Sequence, residues 1–153
     1  MLIEVGPAHT RGDTLVHAIA DRVLFTGDIL FSGAHPIAWA GPVSNWIAAC
    51  DRILQMDVDV LVPGHGPVAG KDAVRELKAY FEYLYEQAAA SHAAGMDVMQ
   101  ATRSLSMDRW ADWGEAERLA VNVSNIYAEL SGGQEPANPL AAFEQMAELA
   151  RER

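Results

Sequence analysis

The run Val23-Leu24-Phe25-Thr26-Gly27-Asp28 decides how this chain is read, because a carboxylate closes a stretch that is otherwise apolar. A carboxylate placed directly after a buried strand has little water around it, so its charge calls for a hydrogen-bond partner or a cation. The glycine before it lets the backbone turn sharply and redirect the side chain. Two other polar residues have comparable settings. His9 follows Gly6-Pro7-Ala8 and precedes Thr10-Arg11-Gly12-Asp13, and His65 lies between Gly64 and Gly66, just after Val60-Leu61-Val62-Pro63. Zinc takes imidazole nitrogen and carboxylate oxygen, so two histidines and an aspartate from three loops form a chemically sensible partial ligand set. The gaps between the three match no local ligand motif, so hydrogen-bonded loop residues are the alternative at this point.

The surrounding residues are patterned in two halves. Up to about Gly70 the sequence is rich in β-branched residues with Gly and Pro punctuation. Leu2 to Val5 reads as a short strand. Thr14 to Ile19 and Arg22 to Thr26 read as two strands around a tight hairpin at Ala20-Asp21. Ser44 is placed to cap a helix whose apolar stripe is Trp46, Ile47, Cys50, Ile53 and Leu54. Val58 to Val62 reads as a further short strand. Beyond Gly70 the spacing turns helical, with Val74, Leu77, Phe81, Leu84 and Ala88 marking a long helix over roughly 71–94. Asp97 is placed to cap a short helix ending near Leu105. Leu119 to Leu130 is stopped by Ser131-Gly132-Gly133. Asn138-Pro139 opens a last helix with Leu140, Phe143, Met146 and Ala150 on its apolar side.

Taken together, 6–13, 24–31 and 62–66 resemble, in order, the later motifs of the metallo-β-lactamase-fold hydrolases. The resemblance covers about Leu2 to Val68, and the helices after Gly70 resemble a C-terminal extension found in some of these enzymes. It implies an α/β chain: half of an αββα sandwich over 1–70, with a helical extension over 71–153 packing on it. It implies that His9 completes the ligand set of a first zinc ion, that Asp28 bridges two ions, and that His65 binds the second. Water shared by two such ions becomes hydroxide near neutral pH and attacks an ester, thioester, amide or phosphoester. The family's first motif, His-x-His-x-Asp-His, occurs nowhere in this sequence, and eight residues precede His9. The expectation is therefore a C-terminal portion with a partial or empty zinc site, inactive or poorly active alone. The alternative is a non-catalytic module that acts in oligomerisation or as a scaffold.

Half a sandwich leaves one sheet face bare. Uncovering even ~500 Å² at ~25 cal/mol/Å² costs about 12 kcal/mol, so a second copy, the later helices folded back, or a separate N-terminal half must cover that face, and a homodimer is the expectation. Asp13 is expected to bond backbone near His9 and hold its loop. His35 and Trp39, in the small-residue loop after Asp28, are the candidates for a small-molecule substrate loop, although a solvent-facing His35 is the commoner outcome for such a position. His17 alternates within a strand and reads as a surface or edge residue, and Cys50 reads as core.

Composition narrows the partners. The 153 residues carry eleven basic against twenty-one acidic side chains, a formal charge of −10, which repels nucleic acid and anionic membranes. A single cysteine excludes an intrachain disulfide and thiolate-rich zinc sites. Met1 to Val5 has no basic region or cleavable signal pattern, so a cytoplasmic location is the expectation.

Overall fold

The computed structural model describes residues 1–134 and 136–152. Four strands, β1 (Leu2–Glu4), β2 (Thr14–Ala18), β3 (Val23–Phe31) and β4 (Val60–His65), form one sheet in sequence order. The first two pairings are antiparallel, while β3 and β4 run parallel. A parallel pair needs a crossover, and helix α1 (Val43–Gln55) supplies it. The remaining helices are α2 (Lys71–Ala93), α3 (Val98–Ser104), α4 (Leu119–Leu130) and α5 (Pro139–Arg151).

Strand alternation gives the sheet two unlike faces. Ile3, Leu15, Leu24 and Leu61 turn inward and are buried in one continuous core with Trp46, Cys50 and Ile53 of α1 and Val74, Leu77, Phe81 and Leu84 of α2. That core extends into α4 through Val123 and Ile126, so it joins both sides of the change in sequence character near Gly70. Lys71 ties the helices further, donating to the carbonyls of Leu54 (2.9 Å) and Met56 (2.6 Å) at the end of α1. The outer face is different. Leu2, Val16, Phe25 and Val62 lie side by side across all four strands. The first three are exposed, at 74%, 42% and 46%.

Several local expectations need correction. The turn between β2 and β3 is not a two-residue hairpin: a 3₁₀ turn over Ile19–Asp21 leads into Arg22 in the left-handed region. Strand β3 does not stop at Thr26. A register shift at Gly27, whose φ is +53°, lets the strand continue and pair Phe31 with His65. Asp28 therefore sits within a bulged strand rather than beyond its end. Helix α1 begins at Val43, behind Pro42, without a side-chain cap from Ser44. In α5 the predicted apolar side holds only at Met146, which is partly buried against the core; Leu140, Phe143 and Ala150 are exposed, and Ala142 is the buried residue. Asp97 forms a reciprocal capping box with Gln100, and Asn138 caps α5 by accepting from Leu140 and Ala141. His17 is not a surface residue. It faces inward on a strand flanked on both sides, and neither ring nitrogen has a hydrogen-bond partner.

Candidate metal centre

Two strands and one loop meet at the end of the β3–β4 pair. Asp28 projects from the bulged part of β3, His65 ends β4, and His9 arrives from the loop between β1 and β2. His9 Nε2 lies 3.4 Å from Asp28 Oδ2, and His65 Nε2 lies 3.6 Å from Asp28 Oδ1. The two imidazoles thus address opposite oxygens of one carboxylate. The His9 side chain is largely enclosed, while Asp28 and His65 are about half open to solvent.

Each of these positions has a local cause. Asp13 shapes the loop of His9: its carboxylate accepts from the Ala8 N–H (3.1 Å), the Thr10 N–H (2.9 Å) and the Thr10 hydroxyl (2.7 Å). His9 Nδ1 then reaches the Ile37 carbonyl at 2.7 Å. A carbonyl only accepts, so Nδ1 carries a proton, and Nε2 is the ring nitrogen that faces Asp28. Phe31 packs on both rings, stacking on His65 at a 4.3 Å centroid separation and 9°, and lying 5.9 Å from the tilted ring of His9. Trp46 closes the inner side, edge-on to His9, with its indole N–H donating to the Ile29 carbonyl. Gly64 and Gly66 leave space where side chains would collide with Asp28 and with the Ser32 carbonyl.

Nitrogen–oxygen separations of 3.4 and 3.6 Å are too long for good hydrogen bonds. They match the edge of a tetrahedral coordination sphere, since two ligands bonded at about 2.1 Å to one ion lie about 3.4 Å apart. Each imidazole–carboxylate pair alone is therefore spaced as two ligands of one ion would be. The three side chains are not a cage: among the described residues no group of three or more His, Cys, Asp or Glu side chains is placed to hold a metal ion.

His35 and Trp39 are placed differently from the three. His35 is buried rather than solvent-facing, its Nδ1 3.0 Å from the Tyr80 hydroxyl and its ring against Trp113. Trp39 is partly exposed and packs on Phe143 of α5 at 5.4 Å. Sequence reading missed Phe31, the Ile37 carbonyl and two asparagines of α4, Asn122 and Asn125, which hold the 36–38 loop. The asparagines lie more than eighty positions from that loop, and no local signal marks them. Phe31 lies within one of the three motifs, but only the β3 bulge turns it toward the histidines.

An α/β half-sandwich whose His–Asp–His edge lies at the strand ends is the class that fold and site define. Residues 1–65 match the family model of the metallo-beta-lactamase superfamily, and the chain carries part of that superfamily's fold. It is 32% identical over 112 residues to the 2,4-dinitroanisole O-demethylase subunit alpha of Nocardioides sp. (strain JS1661), covering 72% of this chain and 31% of that protein. It is 24% identical over 107 residues to acyl-coenzyme A thioesterase MBLAC2 of Homo sapiens, covering 66% of this chain and 37% of that protein. Among solved structures, the inverting sec-alkylsulfatase Pisa1 from Pseudomonas sp. superposes over 91% of this chain and 25% of its own, with a TM-score of 0.65 at 16% identity. A metallo-beta-lactamase family protein from Thermus thermophilus does so over 86% of this chain and 44% of its own, with a TM-score of 0.64 at 18% identity. The fold likeness therefore extends through the helices, well past residue 65. The chain spans less than half the length of each of these relatives.

Proposed function

We propose that this chain is the C-terminal portion of a zinc-dependent hydrolase, holding His9, Asp28 and His65 as part of a two-metal site. The observation that carries the proposal is the spacing of both imidazoles from the Asp28 oxygens, which suits ligand edges and not direct hydrogen bonds. Zinc bound there supplies a Lewis acid and a hydroxide near neutral pH. Within the chain, His9 presents Nε2 as a lone-pair donor because Ile37 holds the Nδ1 proton. The carboxylate of Asp28 would offset part of the charge of any cation held beside it. His65, stacked on Phe31, is kept from rotating out of the site. The remaining ligands would come from a second segment or a second chain.

The bond cleaved is proposed as an ester, thioester, amide or phosphoester in a small molecule. The thioesterase relative favours the acyl classes. A cytoplasmic setting belongs to the same proposal and suits a chain with one buried, unpaired cysteine. The bare outer row of Leu2, Val16 and Phe25 supports a covering partner, either a second copy or an N-terminal half. The same face favours a second reading, in which the module serves only in assembly.

Calorimetric titration with Zn²⁺ tests the first reading. The expected result is micromolar or weaker binding, lost on Asp28→Ala, with little turnover of esters or thioesters by this chain alone. Nanomolar binding with full turnover would overturn the incomplete site, and no binding at all would favour the assembly reading.

A further inference from the structure

The loop over His9 is gripped from a helix far along the chain. Asn122 of α4 is fully buried, and its Oδ1 accepts the Ala38 N–H at 2.9 Å. Its Nδ2 donates to the Pro36 carbonyl at 2.9 Å and contacts the Tyr80 hydroxyl at 3.2 Å. One turn on, Asn125 Nδ2 donates to the Ala38 carbonyl. Between these bonded neighbours lies Ile37, whose carbonyl accepts from His9 Nδ1. A carboxamide suits this position because it both donates and accepts. An aspartate at 122 could not donate to the Pro36 carbonyl, and an apolar side chain could serve neither partner.

We propose that Asn122 and Asn125 are positioning residues for the metal centre, acting on His9 through the Pro36–Ala38 segment. Fixing that segment places the Ile37 carbonyl, and the carbonyl fixes both the tautomer and the rotation of the His9 ring. The helical region outside the family match thereby completes the orientation of a ligand that belongs to the matched region. The inference rests on reading His9 as a ligand, but its first consequence concerns the metal-free ring.

The test uses the full chain with ¹⁵N-labelled histidine, comparing wild type, Asn122→Ala, Asn125→Ala and Tyr80→Phe. Tyr80→Phe removes a hydroxyl that meets the His35 and Asn122 side chains but leaves every bond from the asparagines to the loop backbone, so it reports loosening of the network with those bonds intact. Long-range ¹H–¹⁵N spectra of the metal-free chain should show His9 protonated at Nδ1 in wild type and Tyr80→Phe. Both asparagine variants should show a mixture of tautomers. Zn²⁺ affinity should fall roughly tenfold or more in the asparagine variants, as for other outer-shell partners. Asn125→Ala loses one side-chain hydrogen bond and carries the test should Asn122→Ala fail to fold. An unchanged His9 spectrum in folded Asn125→Ala, or an equal change in Tyr80→Phe, would overturn the inference. If Zn²⁺ shifts no His9 or His65 signal in wild type, the metal reading fails, while the tautomer comparison still decides whether α4 orients the ring.

Discussion

The Asp28 carboxylate occupies space that a side chain at residue 64 would need: a Cβ on Gly64 would fall inside contact distance of Asp28 Oδ1. The two residues lie on the paired strands β3 and β4, where the ladder is shifted on either side of Gly27. Gly64 is thus a spacing requirement of the site, set by how closely two backbones approach.

Gly64→Ala is expected to push the Asp28 side chain away from one or both histidines. The cost in stability should be about 1–3 kcal/mol, typical of overpacking. Zn²⁺ affinity should fall further than that loss of stability alone would require. Denaturant titration and calorimetry on the same variant separate the two effects; unchanged affinity would show that Asp28 does not hold the metal.

Asp13→Ala removes the acceptor for two backbone N–H groups and a hydroxyl in the loop of His9. A loss of roughly 1–3 kcal/mol is expected, since a buried N–H at Ala8 is left without its partner. The midpoint of urea unfolding should drop with an unchanged slope. A variant as stable as wild type would mean that water replaces the carboxylate.

His17→Leu is expected to stabilise the protein. The imidazole is buried beside Leu24 in the ladder with neither nitrogen bonded, and an apolar residue removes that penalty. The gain should be about 1–2 kcal/mol, read from urea unfolding. A loss of stability would point to a partner for His17 such as an ordered water.

Cys50 should be inert while the chain is folded. Burial, with a smaller contribution from Asp51, pushes the thiol from its ordinary value of 9.0 up to about 12. A disulfide reagent at about pH 8 should label it only after denaturant is added. The thiol's contribution to stability is fully present below pH 9.0 and is lost as pH rises toward about 12, because only the unfolded chain releases the proton in that window. Cys50→Ala should therefore show a shallower decline in stability above pH 9.0 than wild type.

Phe25→Asp tests the covering partner. Phe25 sits between Val16 and Val62 in the exposed row, so a charge there would be buried by any second sheet. Association measured by sedimentation should weaken at least about tenfold. A wild-type chain that is monomeric at micromolar concentration would remove the second copy as the partner.

Much of this architecture was written locally. The long helix α2 follows from the spacing of Val74, Leu77, Phe81, Leu84 and Ala88, and the Asp97 and Asn138 caps were readable as residue types in place. Periodicity and capping act over a few residues, so a single sequence exposes them. Three polar residues flanked by Gly, Pro and apolar runs were likewise visible, because a polar group beside a buried strand conflicts with burial unless it is used. The orientation of α5 was not. Phe143 and Ala142 both lie at helical spacing from Met146, and only packing against α4 chooses between them.

The tertiary structure alone decided the rest. That β3 runs on through a bulge at Gly27 to pair Phe31 with His65 depends on β4, thirty residues later. That His9 must offer Nε2 depends on a carbonyl at Ile37, whose neighbours are in turn held by asparagines over eighty positions away. Residue types state which atoms can donate, accept or ligate. Where those atoms meet is fixed by long-range pairing and burial, which no local window of sequence contains.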